Sequence, residues 1–265
     1  EIHERLVGSE MCIRDRLALA VMFTGCSAPA ESEAGAALPD VVGSMDIRYA
    51  EQFSVDYLAD GSALAEVADG RRYLIIPDGG EVPEQLPEDV TVISQPENIY
   101  LASSSSMDLF SSLDCLGDIL ASSTPESGWK LPEIAQAMAD EDILYAGKYS
   151  SPDIELLMSE GCDLAIENMM IYHSPKTAEQ IESCGIPVFI ERSSAESHPL
   201  GRLEWVRLYG LMLGKSDEAE KFFSEKCSLL DEVTSRESTG CTAAFFYISS
   251  NGSAVVRKPG DYISK

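Results

Sequence analysis

The sequence predicts an α/β protein built on a doubly wound parallel sheet, with a small antiparallel β appendage near the N-terminus. Three patterns carry this. Between residues 98 and 202, short apolar runs alternate with helical stretches, the order that builds β-α-β units and a parallel sheet. Upstream, FSVDYLADGSALAEVADGRRYLII (53–76) alternates apolar and polar residues around Asp60-Gly61 and Asp69-Gly70, a strong hairpin signal. Downstream, helical spacing runs over 203–235 and is followed by a fresh strand pattern, CTAAFFYIS (241–249).

Taken in order, IYLAS (99–103) is a strand that leads through Ser103–Ser106 into a helix over 107–120. A second helix covers 132–139, and a strand covers 143–146. The next helix spans 152–160, with Pro152 near its first turn, where a missing N–H costs little. A strand follows at 163–166, then a helix at 175–184 stopped by Gly185, then a strand at 188–191. The loop beyond it is charged: Glu191, Arg192, Glu196, His198 and Arg202 precede a helix starting near Leu203 that leads away from the domain. Ligands of open α/β sheets bind outside the carboxyl ends of the strands, so this loop reads as a ligand site beside a hinge. Ser216 with Asp217, Glu218 and Glu220 forms a cap and acidic first turn. Ala219, Phe222, Phe223, Cys227, Leu230 and Val233 give that helix one buried face, and Gly214 and Ser216 break or kink the region.

The chain has 265 residues and is 45% hydrophobic, enough for one large or two modest domains. Its 45 acids against 19 bases give a net charge of -26. Nucleic-acid binding is excluded, because it needs a basic footprint. The balance suits a soluble protein in an extracellular setting. Seven cysteines form no C-x-x-C pair and no regular spacing, so neither a zinc ribbon nor a disulfide framework is read. Only His173 and His198 lie outside the N-terminal stretch, too few for a tight metal site of side chains alone. No resident cofactor is expected. No G-x-G-x-x-G, P-loop or G-x-S-x-G element occurs, and no catalytic residue is assigned.

LALAVMFTGC (17–26) is a short apolar run ending in small residues and a cysteine, followed by the small and acidic SAPAESEAGAALPD. It is too short to span a bilayer and resembles a bacterial lipoprotein signal, with Cys26 as the lipidated first residue of the mature protein. Residues 1–16, EIHERLVGSEMCIRDR, have no initiator Met and no apolar period. They resemble translated sequencing-adapter sequence and are set apart as non-native.

Four segments in sequence order carry a family resemblance: ILYAGKYSSPDIELLMSEGCDLAI (143–166), GIPVFIERSS (185–194), HPLGRLEWVRLYGLMLGK (198–215) and FFYISSNGSAVVRKPGDYI (245–263). Together they resemble the periplasmic binding proteins that serve iron-siderophore, haem and cobalamin ABC importers. The resemblance covers residues 99–265 and the lipoprotein leader. It implies two Rossmann-like lobes joined by a long helix, with the ligand in the cleft between them. The divisions expected are a leader and tether at 17–40, a β-hairpin appendage at 41–97, an N-terminal lobe at 98–202 and a helical connector at 203–238. The start of a C-terminal lobe, mostly missing, falls at 239–265. The resemblance also implies that Glu155 meets an arginine of the permease, and that Tyr149 presents an aromatic face to the ligand.

Other candidate ligand residues rest on their chemistry. Ser104 and Ser105 offer hydroxyls beside helix N-terminal amides, although capping alone also explains serines there. Trp129, like Tyr149, offers a rigid stacking surface. Glu167, Asn168 and Met169 follow a strand and point towards the cleft edge. Arg192, Arg202 and Arg257 offer planar forks for carboxylates or catecholates, and His198 shares their loop. Local pairing of the arginines with Glu191, Glu196 and Glu204 is the competing explanation. The function expected is a lipid-anchored extracytoplasmic binding protein, not an enzyme. It captures an iron chelate (siderophore or haem) or a corrinoid and delivers it to an ABC permease and its ATPase. The alternatives are a sensor or adhesion lipoprotein, or an enzyme on a doubly wound sheet.

Overall fold

The computed structural model describes residues 38–237 and 239–258. The adapter-like stretch and Cys26 lie outside the described residues. The first sheet runs β1 (Val41–Ser44), β2 (Phe53–Leu58), β3 (Ala63–Val67), β4 (Arg72–Ile76) and β5 (Val90–Ser94), side by side in that order. The two expected hairpins are β2–β3 and β3–β4, and Gly61 and Gly70 take the left-handed φ values of 88° and 87° that their turns require. The fifth strand departs from the antiparallel expectation: β5 lies parallel to β4. A parallel partner needs a crossover rather than a turn, and the crossover 77–89 is a Pro- and Gly-containing loop with no periodic pattern to announce it.

The second sheet holds β6 (Ile99–Leu101), β7 (Ile119–Ser122) and β8 (Leu144–Tyr145), then β11 (Leu164–Asn168) and β12 (Val188–Glu191). Between β8 and β11, the two-residue strands β9 (Gly147–Lys148) and β10 (Ser151–Pro152) form a small ladder of their own. The large sheet is parallel throughout, in the order β12-β11-β6-β7-β8. The chain thus starts in the middle, builds outward one way, and returns to build the other way. The reversal point lies between β6 and β11. Ile166 of β11 and Phe189 of β12 face one side, Ala165 and Val188 the other, and all four are buried, as expected for a parallel sheet covered on both faces.

The helices are α1 (Ser104–Ser112), α2 (Pro132–Ala139), α3 (Ile154–Ser159), α4 (Pro175–Ser183), α5 (Pro199–Met212) and α6 (Ser216–Thr234). Two expectations change. The helix expected over 107–120 ends at Ser112, and β7 occupies 119–122. Asp114 takes a left-handed φ of 58°, which an aspartate tolerates, and the short apolar run ILA after it is strand rather than helix. The helix expected from Leu203 begins at Pro199 and does not leave the domain. Trp205, Val206, Leu208 and Tyr209 are fully buried, in one cluster with Phe53, Tyr73 and Ile75 of the first sheet and Ile99, Leu101 and Phe189 of the second. The Trp205 ring meets Phe53 edge-on at 4.9 Å. Apolar residues on most of a helix surface mean burial on most sides, so α5 is a central rod. Gly210 lets α6 approach, since a Cβ there would sit 2.4 Å from that of Ala219. Gly214, at φ 66°, ends the pair's connection.

Two buried glutamates fasten the first sheet to α5. Glu204 accepts the backbone N–H groups of Arg48 at 2.9 Å, Tyr49 at 2.7 Å and Ala50 at 2.8 Å. Glu196 accepts those of Glu51 at 2.8 Å and Gln52 at 3.1 Å, and also the Trp205 indole N–H at 2.9 Å. Five consecutive amides thus end on two carboxylates. Gly201 permits the approach: a Cβ there would stand 2.7 Å from the Tyr49 carbonyl oxygen. The expected strand over 241–249 is shortened to β13 (Phe246–Ile248), paired antiparallel with β14 (Ala254–Val256). Its apolar side chains are exposed.

Candidate functional site

The reversal of strand order opens a crevice at the carboxyl ends of β6 and β11, where an open α/β sheet places its ligands. The loops after β6, β7, β11 and β12 border it. Asn168 ties two of them together. Its amide donates to the Ala102 carbonyl at 3.0 Å, and its oxygen accepts from Met170 N at 2.8 Å, capping a short 3-10 turn over Met169–His173. The Ser123 hydroxyl, after β7, donates to the same Ala102 carbonyl at 3.1 Å.

The serines at the start of α1 converge on an internal carboxylate. Ser103 is the N-cap, but its hydroxyl donates to Glu191 Oε2 at 2.9 Å instead of capping the helix. Ser105 donates to the same oxygen at 3.3 Å, and Ser193 N donates to Oε1 at 2.7 Å. Glu191 is buried, so these bonds satisfy a charge that would otherwise be costly. A carboxylate beside a helix N-terminus also lies favourably in the helix dipole.

Just outside lies a groove of about 230 Å³ lined by Ser105, Asp108, Leu109, Ser193, Pro199, Arg202 and Leu203. Two serines, an aspartate and an arginine line it together with two leucines and a proline. Pockets for small molecules combine those ingredients: apolar lining and a few convergent polar groups. A larger hollow, about 730 Å³, lies against the loop after β4 among Asp60, Glu81 and Glu84, far along the chain from the crevice loops.

The expected site residues divide. Ser105 and Arg202 line the groove, and Ser104 stands exposed beside it. Asn168 holds the crevice loop. Arg192 turns towards the first sheet: Nε and Nη2 donate to Gln52 Oε1 at 3.2 and 3.1 Å, and Nη1 to the Tyr172 hydroxyl at 3.0 Å. Tyr172 in turn donates to Asp69 at 2.6 Å. The competing explanation of pairing with Glu191, Glu196 or Glu204 is therefore not the arrangement found for Arg192. Those acids are buried and bound elsewhere. His198 caps α5, with Nδ1 accepting from Leu200 N at 3.1 Å, and stacks on Tyr49 at 4.8 Å. Trp129 packs on the core and donates to the Thr124 carbonyl at 3.2 Å. Tyr149 is half-buried against the α3 side of the sheet. Glu155 is exposed in the first turn of α3, one turn capped by Asp153. Arg257 is exposed beside the β13–β14 hairpin.

Sequence reasoning missed Asp108, Leu109 and Leu203, because groove walls are ordinary helix residues until the loops are placed. It also misplaced Glu167. That residue is not at the cleft edge but fully buried within β11. Among the described residues neither of its oxygens has a hydrogen-bond partner, and the buried Tyr100 hydroxyl has none either. Burial pushes the Glu167 carboxyl up to about 8 and Tyr100 well above the usual phenol range. The pattern LAIE held the signal: an acid that continues a buried apolar strand.

No family model matches the sequence. The uncharacterised lipoprotein MJ0878 of Methanocaldococcus jannaschii is 23% identical over 173 residues, 60% of this chain and 40% of that protein. Among solved structures, the petrobactin-binding protein YclQ from Bacillus subtilis is similar with a TM-score of 0.52 at 12% identity, over 75% of this chain and 61% of that one. Holo-ViuP is similar with a TM-score of 0.51 at 14% identity, over 83% and 62%. The fold is thus the mixed α/β fold of periplasmic binding proteins, and both named structural neighbours lend it as a fold alone. The chain spans 40% of the curated relative and about three fifths of these two structures.

Proposed function

We propose that this chain belongs to the extracytoplasmic substrate-binding component of an ABC importer and captures a metal chelate, an iron-siderophore, haem or a corrinoid. The observation that carries the reading is the groove at the carboxyl ends of the parallel sheet, where Ser105, Ser193 and Arg202 converge beside Leu109 and Leu203. Its fold likeness to a petrobactin-binding protein supports the chelate class. Arg202 supplies a planar fork for a carboxylate or catecholate oxygen, Ser105 and Ser193 supply hydroxyls, and the leucines take the apolar part of the ligand. Such a ligand brings its own metal donors. Among the described residues no group of three or more His, Cys, Asp or Glu is arranged around a common point for a bare ion.

The helix α6 (Ser216–Thr234), rather than the buried α5, is the connector, and the segment after it belongs to a second lobe whose approach would bring Arg257 towards the ligand. Cys26 carries the lipid anchor that holds the protein at the outer face of a bacterial cell membrane. Glu155, exposed on α3, docks on the permease.

The test is a titration of the full-length protein with ferric siderophores, haem and corrinoids, read by calorimetry and tryptophan fluorescence. Saturable binding of one class, at about micromolar Kd or tighter, is the expected result. Binding of none of the three classes would sink the proposal. For docking, Glu155→Arg is expected to leave chelate affinity within about twofold while cutting uptake by cells about tenfold or more. Unchanged uptake would remove Glu155 from the interface.

A further inference from the structure

Glu167 is the one buried glutamate whose oxygens stand without a partner among the described residues. It lies on the face of the sheet that carries Tyr100, Ala102, Ala165, Val188 and Ile190, covered by Leu157 of α3 and Ala178 and Ile181 of α4. The titratable group facing it from β6 is Tyr100, whose hydroxyl likewise makes no full hydrogen bond and has only weak help from the Ser123 side chain. Cys162 and Tyr145 act on Tyr100 from the ends of the neighbouring elements, and both would add negative charge, not positive. Half-buried Tyr149 packs on the same cluster. From β12 and α4 the buried inward residues are Val188, Ile190, Thr177, Ala178 and Ile181, none of them charged. The Asn168 N–H gives weak help that falls short of a hydrogen bond. A lone carboxylate in such surroundings is too costly to keep, so the folded state holds the acid neutral.

What makes this more than a packing oddity is the next residue. Asn168 pins the end of β11 to the Ala102 carbonyl and caps the turn over Met169–His173. A charged Glu167 can reach water only if that end of the strand opens. We propose that Glu167 is a proton-operated latch on the crevice: neutral, it stays buried beside Tyr100 and the loop after β11 is closed; charged, it is expelled and the loop is released. This inference stands apart from the identity of any ligand.

The sign follows from linkage. At low pH the acid is protonated in both folded and unfolded chains. As pH rises above the ordinary glutamate range, the unfolded chain loses the proton first, and folding must retain or recapture it. Stability relative to a neutral variant therefore falls until the pH passes about 8, where the folded protein also ionises, and then levels off. The experiment measures urea unfolding of wild type and Glu167→Gln from about pH 5 to about pH 9. The expected result is a ratio of their unfolding constants that rises about tenfold per pH unit through the lower part of that range. Hydrogen exchange at amides 168–173 is expected to be about tenfold or more faster in wild type than in the variant at the alkaline end, and equal at the acid end. A second measurement does not need the variant to fold: the infrared carbonyl band of a protonated carboxylic acid should be present in wild type at neutral pH and vanish on alkalinisation. A flat stability ratio, no protonated band at neutral pH, or a ratio that changes while loop exchange does not, each overturns the latch.

Discussion

Glu204 and Glu167 are both fully buried glutamates, yet their surroundings differ in every respect. Glu204, on α5, accepts three backbone amides and is 3.1 Å from the Arg207 guanidinium. Glu167, on β11, meets alanines, aliphatic side chains and a phenol. Burial alone does not assign a role to an acid. A carboxylate wrapped by donors is part of the scaffold, as Glu191 and Glu196 also are. A carboxyl left bare is held neutral and responds to pH.

Substitutions at these acids probe the contrast. The largest loss is expected for Glu204→Ala, which leaves three backbone amides without their acceptor and removes one of the two carboxylates of Arg207; the cost should be about 3–5 kcal/mol in urea unfolding. A loss under about 1 kcal/mol would mean that water replaces the carboxylate, and the strap would lose its importance. Glu191→Ala should cost somewhat less, about 2–3 kcal/mol, because Ser103 and Ser105 can turn their hydroxyls elsewhere. Glu167→Leu is expected to have the opposite sign: near pH 8 it should stabilise the protein by about 1–3 kcal/mol, by removing a polar group that nothing satisfies. Destabilisation at that pH would show that Glu167 has a partner after all. The smallest effect belongs to Arg192→Ala, about 1 kcal/mol, since its bonds to Gln52 and Tyr172 are partly exposed.

Much of the scaffold was legible because it rests on periodicity. The Asp-Gly hairpins, the α4 helix stopped by Gly185, and the VFIE strand all appear where alternation and turn chemistry place them. The failures share a physical cause. β5 and β7 are short apolar runs whose partners lie across a crossover, so local pattern cannot separate them from helix or loop. The helix α5 was read as leaving the domain because its sequence shows how much of it is apolar but not what covers it. In the candidate site, Ser105 and Arg202 were legible as donors after strand ends. Arg192 and His198 looked equivalent to them in sequence, yet Gln52, Tyr172 and Tyr49 take them up, and the contacts to Gln52 and Tyr49 reach 140 or more residues back along the chain.

Under the proposed function the groove at the carboxyl ends of the parallel sheet, not the Arg192 network beside it, receives the chelate. Calorimetric titration of the ligand class that binds wild type, repeated on Arg202→Ala and Arg192→Ala, tests it most directly. The predicted result is about tenfold or greater weakening for Arg202→Ala, with Arg192→Ala within about twofold of wild type. Unchanged affinity in Arg202→Ala, or a larger loss in Arg192→Ala, would contradict it.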